Sequence, residues 1–450
     1  MGRIQNFETL AGNDLRRDAL LIAEAGYAAI DVGAALGSKL RFKHDELRFV
    51  EVKPPHDGVI YNLHGRRIFF VGVGKCAFAA ARAIEDLFDN RLAGGIALDV
   101  SPLEGRPLEK IETYTGTHPL PSDANELASR RIIEFLSGLR EDDFVIMFIS
   151  GGGSTLLCLH DAPMTCTDEG ELFKELSARG APIQDINIVR KHTSLARGGA
   201  LAAAAYPAEI ISLIVSDVPG DDIAFVASGP TVLDSSTVAD AEDVLAKHGV
   251  VSPAGIALVE TPKDEKYFKR VTNILFLSGG DALSAMHDEA VRREYDVTIA
   301  DDRFTGEARD LGRDIVKKLH FSPERTALLY AGESTVNLGE TSGHGGPSPR
   351  RSGLLPREGG RNQEMALAAL EYLNPDELIL PFASDGHDNS DHAGAIADAT
   401  TRSHAREHAL SIPKYLEAHR SYDFFKATGD ALVTGYTGSN VSDLIVALKK

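Results

Sequence analysis

Two hydrophobic patterns follow one another along this chain. From residue 13 to residue 37, apolar side chains recur every three to four positions after Asn13, which predicts a long amphipathic helix capped by Asn13. Beyond it, continuous apolar runs end in glycine clusters and are followed by helical segments: RIFFVGVGK, GGIALDV, DDFVIMFISGGGS, EIISLIVSDVPGDD, NILFLSGGD, TALLYAGES and LILPFASDGHD. Such runs are typical of parallel strands covered on both faces, so the pattern predicts an α/β fold.

A charged stretch divides this pattern into two parts. TPKDEKYFKR follows a helical segment near residues 260 to 270, and a new strand begins at Asn273. We therefore predict two domains, 1–265 and 266–450, each a mostly parallel sheet flanked by helices. Residues 339–361 are rich in Gly, Pro, Ser and Arg without a hydrophobic period, which predicts a long loop of the kind that forms functional lids.

Composition and charge narrow the class of protein. The 450 residues, 43% apolar and 25% charged, are typical of a globular protein of two or three domains. The 47 basic and 66 acidic residues give a formal charge of −19, so we expect neither a nucleic-acid nor a membrane partner. No apolar stretch reaches the roughly 20 residues that span a bilayer. The start lacks the apolar region of a signal peptide, and Cys76, Cys158 and Cys166 fit neither a disulfide framework nor a zinc-ligand spacing, so we predict a cytoplasmic protein.

The turn in FFVGVGKCAFAA is the first candidate anion site. Turns after parallel strands present backbone N–H groups, Gly72 and Gly74 allow close approach, and Lys75 adds a positive charge. It is not a Walker A loop, because Phe69 stands where the first glycine belongs. The spacing also fits GxGxxA with Asp99 as a ribose ligand, so an NAD-dependent oxidoreductase is the alternative. A plain turn with a solvated lysine is the third interpretation.

A second glycine turn follows the strand DDFVIMFI. Its residues are Ser150, Gly151, Gly152, Gly153 and Ser154, and three consecutive glycines leave room for a phosphate chain and offer successive backbone donors. We predict nucleotide or anion binding here, with a plain turn as the alternative.

Aspartates follow the strand IISLIV. A carboxylate at the carboxyl end of a strand suits Mg²⁺, which takes one or two protein carboxylates, so Asp217 is the preferred ligand. Asp221 and Asp222, in the Pro-Gly turn behind it, are equally well explained as caps of a turn or helix.

The segment DINIVRKHTSLARGGALA predicts a helix with a polar face. Asn187, Arg190, Ser194 and Arg197 fall at spacings of three, four and three, so they share one side. Such a face could clamp a carboxylate or phosphate, although a solvated basic face has the same spacing. His192 lies off this face and carries no predicted role beyond a structural or surface one.

Arg361 directly precedes the apolar helix in EGGRNQEMALAALEYL. A cation at a helix N-terminus opposes the helix dipole, and that local conflict favours a function in anion binding. The later turn ASDGHDNSDHAGAIADATT allows metal coordination, but an acidic turn with two solvent-facing histidines is the preferred interpretation of its residues Asp385, His387, Asp388, Asp391 and His392.

Taken together, ten segments resemble the glycerate 2-kinases, ATP-dependent enzymes whose C-terminal half carries the MOFRL domain. In the family's order they are GVGKCA, THPLPSDAN, SGGGSTLL, INIVRKHTSLARGGALA, SDVPGDDIAFVASGPT, LSGGDA, AGESTV, GGRNQEMALA, DGHDNSDHAGAIADATT and TGDALVTGYTGSNVSDLIV. Each alone is a weak signal, whereas their order over residues 70–450 makes the resemblance specific.

The resemblance implies transfer of the γ-phosphoryl group of ATP to the 2-hydroxyl of D-glycerate, with Mg²⁺, in a cleft between two α/β domains. It implies a Rossmann-like domain over residues 1–265 and a domain with the MOFRL region over residues 266–450. Lys75 matches the active-site lysine of the GxGK turn, Arg361 the catalytic arginine of GGRNQE and Asp217 the aspartate of SDVPGD. We expect a monomer or homodimer.

The resemblance also assigns binding residues. Gly151 to Gly153 with Ser154 lie in a segment expected near the nucleotide, and Arg190 with Lys191 match the VRKH segment. We predict that Arg190, Lys191 and Arg197 bind substrate and that Asp217 and Asp221 hold the metal, with Asp217 as proton acceptor in the other interpretation.

The chain departs from the family's pattern in three places. Tyr436 and Ser439 replace residues of the usual TGPTGTNV, the acidic loop after Asp385 is shorter, and the stretch from Glu333 to Arg361 is longer, with additional arginines at Arg350, Arg351 and Arg357. These changes leave the residues of the phosphoryl-transfer core intact, but they affect the pocket expected to bind the acceptor.

Two other functions are open on the sequence. A hydroxypyruvate reductase would need a dinucleotide on Gly72 and Gly74 and a proton donor such as His118 or His192. A non-catalytic sensor of a phosphorylated metabolite would bind nucleotide without turnover, and the number of charged residues at strand ends argues against it.

Overall fold

The computed structural model describes residues 2–160, 164–218, 220–250, 258–336 and 359–450. The chain divides into two compact units: unit 1 comprises Met1–Asp31 and Ser278–Lys450, and unit 2 comprises Val32–Leu277. The boundary therefore differs from the predicted domains 1–265 and 266–450, since the first 31 residues belong with the C-terminal part. Most of the predicted 339–361 loop, with Arg350, Arg351 and Arg357, lies outside the described residues.

The elements are numbered in chain order. The helices are α1 (Phe7–Leu10), α2 (Asp14–Ala29), α3 (Val32–Lys39), α4 (Ala77–Phe88), α5 (Asp123–Ser137), α6 (Gly153–Leu156), α7 (Cys166–Ala178), α8 (Ile183–Thr193), α9 (Ala200–Ala205), α10 (Val238–Lys247), α11 (Gly279–Arg292), α12 (Ala308–Phe321), α13 (Arg361–Leu370), α14 (Ala399–Glu407), α15 (Ile412–Glu417) and α16 (Ser421–Thr428). The strands are β1 (Leu40–Lys43), β2 (Glu46–Phe49), β3 (Ile60–Asn62), β4 (Ile68–Val73), β5 (Leu92–Asp99), β6 (Ile111–Thr115), β7 (Phe144–Ile149), β8 (Glu209–Val215), β9 (Val271–Leu277), β10 (Asp296–Phe304), β11 (Thr326–Gly332), β12 (Glu377–Ala383), β13 (Gly394–Ala395), β14 (Ala397–Asp398), β15 (Ala431–Leu432) and β16 (Asp443–Lys449).

Unit 2 is built on a parallel sheet with the order β6-β5-β4-β7-β8-β9, and all of its neighbouring strands run in the same direction. Counted from β4, this is the Rossmann order 3-2-1-4-5-6. Every residue of β4 and β7 is buried, as the continuous apolar runs predict for strands covered on both faces. The Rossmann-like α/β prediction is confirmed for this part of the chain.

Unit 1 contains a mixed sheet with the order β10-β11-β16-β12-β13-β15. β10 and β11 are parallel, but β16 runs antiparallel between β11 and β12. The prediction of a mostly parallel second sheet is therefore wrong, although α/β holds. A strand that is buried on both faces is apolar throughout whichever way it runs, so the hydrophobic pattern carries no information on its direction.

The predicted helix over residues 13–37 consists of two helices, α2 and α3. Asn13 caps α2 as expected, with its side chain accepting a hydrogen bond from the Arg16 N–H at 2.9 Å. Among the described residues, no single helix is long and apolar enough to cross a membrane, while α2 and α3 meet that criterion only as a bent pair.

Two sets of buried contacts join the first 31 residues to the rest of unit 1, residues 278–450. Arg16 on α2 forms ion pairs with Asp398 at 2.7 Å and Asp430 at 2.8 Å, and all three side chains are at least 95% buried. The Tyr27 hydroxyl donates to the Ala383 carbonyl at 3.0 Å. Because these partners are more than 350 residues apart, local sequence patterns contain no sign of their contacts, and the sequence alone does not place the first 31 residues in unit 1.

The cysteines also differ from the prediction. Cys158 and Cys166 form a disulfide with their Cα atoms 6.1 Å apart, while Cys76 is buried and lies outside this disulfide. The two cysteines are eight positions apart, a spacing that by itself does not indicate a disulfide.

Candidate functional site

The two glycine turns of unit 2 meet where the strand order reverses, between β4 and β7. The Lys75 N–H donates to the Gly151 carbonyl at 2.9 Å, and the Ser150 N–H donates to the Val73 carbonyl at 2.9 Å. Gly74 has φ +121°, and a Cβ at this position would overlap Ser150. In doubly wound sheets, ligands bind at this reversal, outside the carboxyl ends of the strands.

Lys75 lies against the glycine run. A Cβ added to Gly152, which has φ +82°, would lie 3.3 Å from the Lys75 Cγ and 3.5 Å from the His118 Cδ2. Lys75 is half-buried, as is Gly152. The structure thus brings together the Gly72–Lys75 and Ser150–Ser154 turns, which the sequence identified separately, and adds His118 beside them.

A strained turn packs on the other side of the glycine run. Ala227 and Ser228 both have positive φ, 51° and 59°, and a Cβ on Gly153 would lie 2.5 Å from the Ala227 Cβ. Left-handed conformations at non-glycine residues cost about 1–3 kcal/mol each and cluster at functional sites. Ser228 links two predicted segments, since its hydroxyl lies 2.9 Å from the Ser154 Oγ and donates to the Asn187 Oδ1 at 2.8 Å.

The predicted polar helix ends earlier than expected. α8 stops at Thr193, so Ser194 and Arg197 do not extend its face, and the sequence prediction of one shared helical side is wrong for them. The Ser194 hydroxyl instead donates to the Leu157 carbonyl at 2.7 Å, and Gly198 and Gly199 take positive φ before α9 begins.

The three predicted substrate-binding cations have different surroundings. Arg197 is fully buried and paired with Glu169 at 2.6 Å, and Lys191 is paired with buried Asp234 at 3.0 Å. Arg190 is half-buried, stacks on the Phe173 ring at 4.8 Å, and has no carboxylate within 4.0 Å in the described part of the chain. Burial and the neighbouring Arg197 charge lower the pKa of Arg190 to about 10. Of the three, Arg190 is therefore best suited to an anionic ligand.

The predicted metal ligands follow β8. β8 is the neighbour of β7 in the sheet, and the half-buried Asp217 lies two residues beyond the end of β8. Asp221 has φ +57° and lies 3.9 Å from the Lys53 Nζ, and the Asp222 carboxylate accepts from the Ala224 N–H at 3.0 Å. Asp222 thus acts as a turn cap, and the metal roles of Asp217 and Asp221 stay predictions.

Asp99 occupies the position that a dinucleotide would need. It is 2% exposed, and its carboxylate accepts from the Phe78 N–H at 3.0 Å, at the N-terminus of α4. Burial raises its pKa to about 6. In a dinucleotide-binding Rossmann domain, the pyrophosphate sits on these first helical amides. A carboxylate already bound there opposes that binding, and the second proposed proton donor, His192, is wholly buried against Val259 and Ser236.

In unit 1, acidic groups gather where β11 and β12 end. The antiparallel strand β16 begins at this edge, with Asp443 paired in register to Gly332 on one side and Ala383 on the other. Because β16 runs opposite to its neighbours, its first residue meets their last ones. Glu333 and Asp385, which follow these strand ends, lie at the same edge.

Arg361 is the first residue of α13 and is held by two of these carboxylates. Its guanidinium pairs with Glu333 and bidentately with Asp443, at 3.2 Å for the Nη2–Oδ1 contact. Burial alone would lower the pKa of Arg361, but the charges of Asp443 and Glu333 outweigh it and raise that pKa. Arg361 is therefore positively charged at any physiological pH.

The N-terminus of α13 is capped by a third carboxylate. Asp388 accepts from the backbone N–H groups of Asn362 at 3.0 Å and Gln363 at 2.8 Å. Burial and the Asp443 charge raise the pKa of Asp388 to about 6. The helix amides expected to help Arg361 bind an anion are thus taken by the protein's own Asp388.

The acidic turn differs from its predicted form in one histidine. His387 is exposed as expected, but His392 is buried, stacks on Tyr422 at 4.4 Å and lies 3.1 Å from the Gln363 Oε1. Burial lowers the pKa of His392. This histidine is a structural group.

Comparison with known proteins shows the family of the chain. A family described as a domain of unknown function (DUF4147) matches residues 18–261, and the MOFRL family matches residues 326–443. A Pyrococcus horikoshii glycerate 2-kinase is 32% identical over 456 residues, covering 97% of each chain. The chain belongs to the glycerate 2-kinase family with a C-terminal MOFRL domain.

Two further relatives of the glycerate 2-kinase family are informative. A protein of Agrobacterium vitis with the provisional name hydroxypyruvate reductase is 35% identical, covering 87% of this chain and 90% of its own. The crystal structure of a Thermotoga maritima glycerate kinase is 29% identical with a TM-score of 0.79, covering 97% of this chain and 99% of that chain. The predicted family and the two-domain α/β class are confirmed.

The sequence alone does not single out several residues that contact the candidate residues in each unit. Ser228 lies in SDVPGDDIAFVASGPT, where the turn sequence SGP is its only signal. Glu333, Asp388 and Asp443 surround Arg361 and were not assigned. Asp443 is the first residue of β16, so a search for carboxylates at the carboxyl ends of strands does not find it.

Proposed function

We propose that this protein transfers the γ-phosphoryl group of ATP to the 2-hydroxyl of D-glycerate and releases 2-phosphoglycerate. The observation that carries the proposal is the Lys75 side chain against the glycine run at the β4–β7 reversal, with the first amides of α4 already bound by Asp99. Relatives named glycerate 2-kinase over nearly the full length support it.

Lys75 and the glycine turn would neutralise phosphate charge. In phosphoryl transfer, the transition state is loose and spreads charge over the equatorial oxygens, so the protein mainly positions the reactants and stabilises that charge. The turn at Ser150–Ser154 offers backbone donors, and its Gly152 leaves space beside the Lys75 Cγ. We assign the nucleotide phosphates to these two turns.

Arg190 would bind the carboxylate of glycerate. Since Arg197 and Lys191 have internal carboxylate partners, Arg190 is the cation of this set whose charge is available to a ligand. A guanidinium binds a carboxylate with two parallel hydrogen bonds, which also orients the acceptor. Lys191 and Arg197, which the sequence predicts to bind substrate, would instead hold α8 and the turn that follows it.

Asp217 fits Mg²⁺. Its half-buried carboxylate is a hard oxygen ligand at a strand end, and Mg²⁺ needs only one or two such groups. When bound, Mg²⁺ neutralises charge on phosphate oxygens. In the other interpretation, Asp217 accepts the proton of the attacking hydroxyl. Asp221 is the weaker metal ligand, because its carboxylate lies near Lys53.

Arg361 would stabilise the charge that develops on the transferred group. Its two partners differ in exposure, since the Asp443 side chain is 2% exposed and the Glu333 side chain is 47% exposed. We propose that Asp443 is the positioning residue for Arg361, and that Glu333 is the partner that an anionic ligand displaces.

A nucleotide assay separates this function from the reductase alternative. The protein is incubated with D-glycerate and either ATP with Mg²⁺ or NAD(P)⁺. We expect ADP release that requires D-glycerate and no reduced nicotinamide. Nicotinamide reduction without ADP release would establish the oxidoreductase instead. The cytoplasmic location and the monomeric or homodimeric state stay predictions of the sequence.

A further inference from the structure

A buried group of metal-ligating side chains lies in unit 2 and is not used by the proposed reaction. The ligand atoms of Cys158, His160 and Cys166 all lie within 4.8 Å of one another, and all three residues are buried. Within the described ranges, this is the one such group of three. In the structure the two cysteines form a disulfide.

Glu169 supplies a fourth donor. Its Oε2 lies 2.6 Å from the His160 Nε2 and 3.4 Å from the Cys158 Sγ. Its other oxygen accepts from the Arg197 Nη2 at 2.6 Å, which fixes the carboxylate in place. Glu169 and Arg197 are at least 99% buried. The group therefore combines two sulfurs, one imidazole and one carboxylate in a site closed to solvent.

The donor set and its size match a tetrahedral cation. Zinc is bound in proteins by cysteine, histidine and carboxylate ligands, with Zn–S of about 2.3 Å and Zn–N of about 2.0–2.1 Å. A tetrahedral shell with these bond lengths has edges of about 3.5–3.8 Å, within the 4.8 Å that encloses the three ligand atoms. Two thiolates select zinc-class ions over Mg²⁺ or Ca²⁺.

We propose that the reduced form of Cys158 and Cys166, together with His160 and Glu169, is a binding site for a zinc-class divalent cation, and that forming the disulfide excludes the metal. A dithiol reductant converts the disulfide to two thiols and is itself oxidised to a disulfide. Binding then exchanges the two thiol protons for one M²⁺.

Charge balance supports both forms of this site. In the disulfide form, the carboxylate of Glu169 and the guanidinium of Arg197 cancel each other. In the metal form, two thiolates cancel the dication, and the Glu169–Arg197 pair is unchanged. Since burying an uncompensated charge is costly, a site that is neutral in both forms can exchange the disulfide for the metal.

Cobalt binding tests the proposal on the full-length protein. The chain is reduced with a dithiol, freed of reductant without oxygen and titrated with Co²⁺, then with Zn²⁺ as competitor. We expect one Co²⁺ per chain, with the thiolate-to-cobalt charge-transfer absorption of a tetrahedral site, displaced by Zn²⁺. The oxidised chain should show no such absorption. Reduced protein without this absorption would overturn the proposal.

Variants identify the ligands. Cys166→Ser should abolish the charge-transfer band or weaken binding by more than about 100-fold, the upper end of what losing an outer-shell partner costs. His160→Asn, which keeps a hydrogen-bond donor to Glu169, is the second variant should the serine variant fail to fold. Cys76→Ala, at the cysteine outside the disulfide, is the matched control and should bind Co²⁺ like the unmodified chain. A Cys166→Ser or His160→Asn protein that is folded and binds with unchanged affinity and spectrum would contradict the assignment.

Discussion

At the scale of single residues, the two arginines assigned to substrates differ in what already surrounds them. Arg361 is held by Asp443 and Glu333, whereas Arg190 rests on the Phe173 ring and has no carboxylate within 4.0 Å among the residues that the structure describes. A guanidinium fixed by carboxylates is preorganised for a transition state, and one without them is available to the ground-state substrate. The two side chains should therefore affect different kinetic constants.

Replacing Arg361 should act on turnover. Arg361→Ala removes a preorganised charge, so we expect kcat for 2-phosphoglycerate formation to fall about 10²- to 10³-fold. The control is Arg292→Ala, which removes an exposed surface ion pair in the same unit and should leave kcat unchanged. Circular dichroism verifies that both variants fold. A folded Arg361→Ala protein with near-normal kcat would remove Arg361 from the catalytic residues.

Replacing Arg190 should act on glycerate binding. A hydrogen bond to a charged group contributes about 1.5–3 kcal/mol, so Arg190→Ala should raise the KM for D-glycerate roughly 10- to 100-fold. The KM for ATP should change little. Arg179→Ala, which breaks an exposed pair with Glu175, is the matched control. Equal changes in both KM values would point to a general structural effect and against a carboxylate site at Arg190.

At the scale of elements, turns and helix ends determine what can bind. Gly74 approaches Ser150 too closely for a side chain, and Asp99 and Asp388 cap α4 and α13 with carboxylates. These contacts join residues 21 to 76 positions apart. The apolar runs located seven strands correctly, namely β4, β5, β7, β8, β9, β11 and β12. The capping partners depend on how neighbouring turns pack, so they could not be inferred.

Two glycines with opposite surroundings test the turn geometry. Gly74→Ala places a Cβ onto Ser150 at φ +121°, so we expect a loss of at least about 1–3 kcal/mol in the free energy of unfolding and weaker nucleotide binding. Gly37, inside α3, has nothing within 4 Å of an added Cβ, and Gly37→Ala should gain about 0.5–1 kcal/mol. Urea unfolding measures both values. Equal effects of the two substitutions would contradict the geometry of the β4 turn.

The cap at α4 predicts a pH dependence. Burial raises the pKa of Asp99 from 3.8 to about 6, so its contribution to stability is fully present below about 4 and is lost as pH rises through about 6. Two pKa units correspond to about 3 kcal/mol. Asp99→Asn, which cannot ionise, should therefore gain stability relative to the unmodified protein between pH 4 and pH 7. Urea unfolding at several pH values shows this, and a constant difference between the two proteins would refute it.

At the scale of the whole molecule, the sequence allowed the α/β class, the Rossmann-like sheet of unit 2 and the family to be predicted. Each rests on local runs, such as the apolar strand before Gly72 and the turn after it. The division into units was missed because it depends on Arg16 with Asp398 and Asp430, whose pairing only the folded chain shows. The partners of Arg361 also depend on the folded chain, because the antiparallel pairing of β16 with β11 and β12 places Asp443 beside Arg361.

The product of the reaction is the most direct test of the proposed function. Purified protein is incubated with ATP, Mg²⁺ and D-glycerate, and the phosphorylated product is identified by ³¹P NMR through its coupling to the carbon-bound protons. The account predicts a single phosphate ester coupled to the one proton on C2, which identifies 2-phosphoglycerate. An ester coupled to the two protons on C3, or the absence of any phosphate ester, would contradict it.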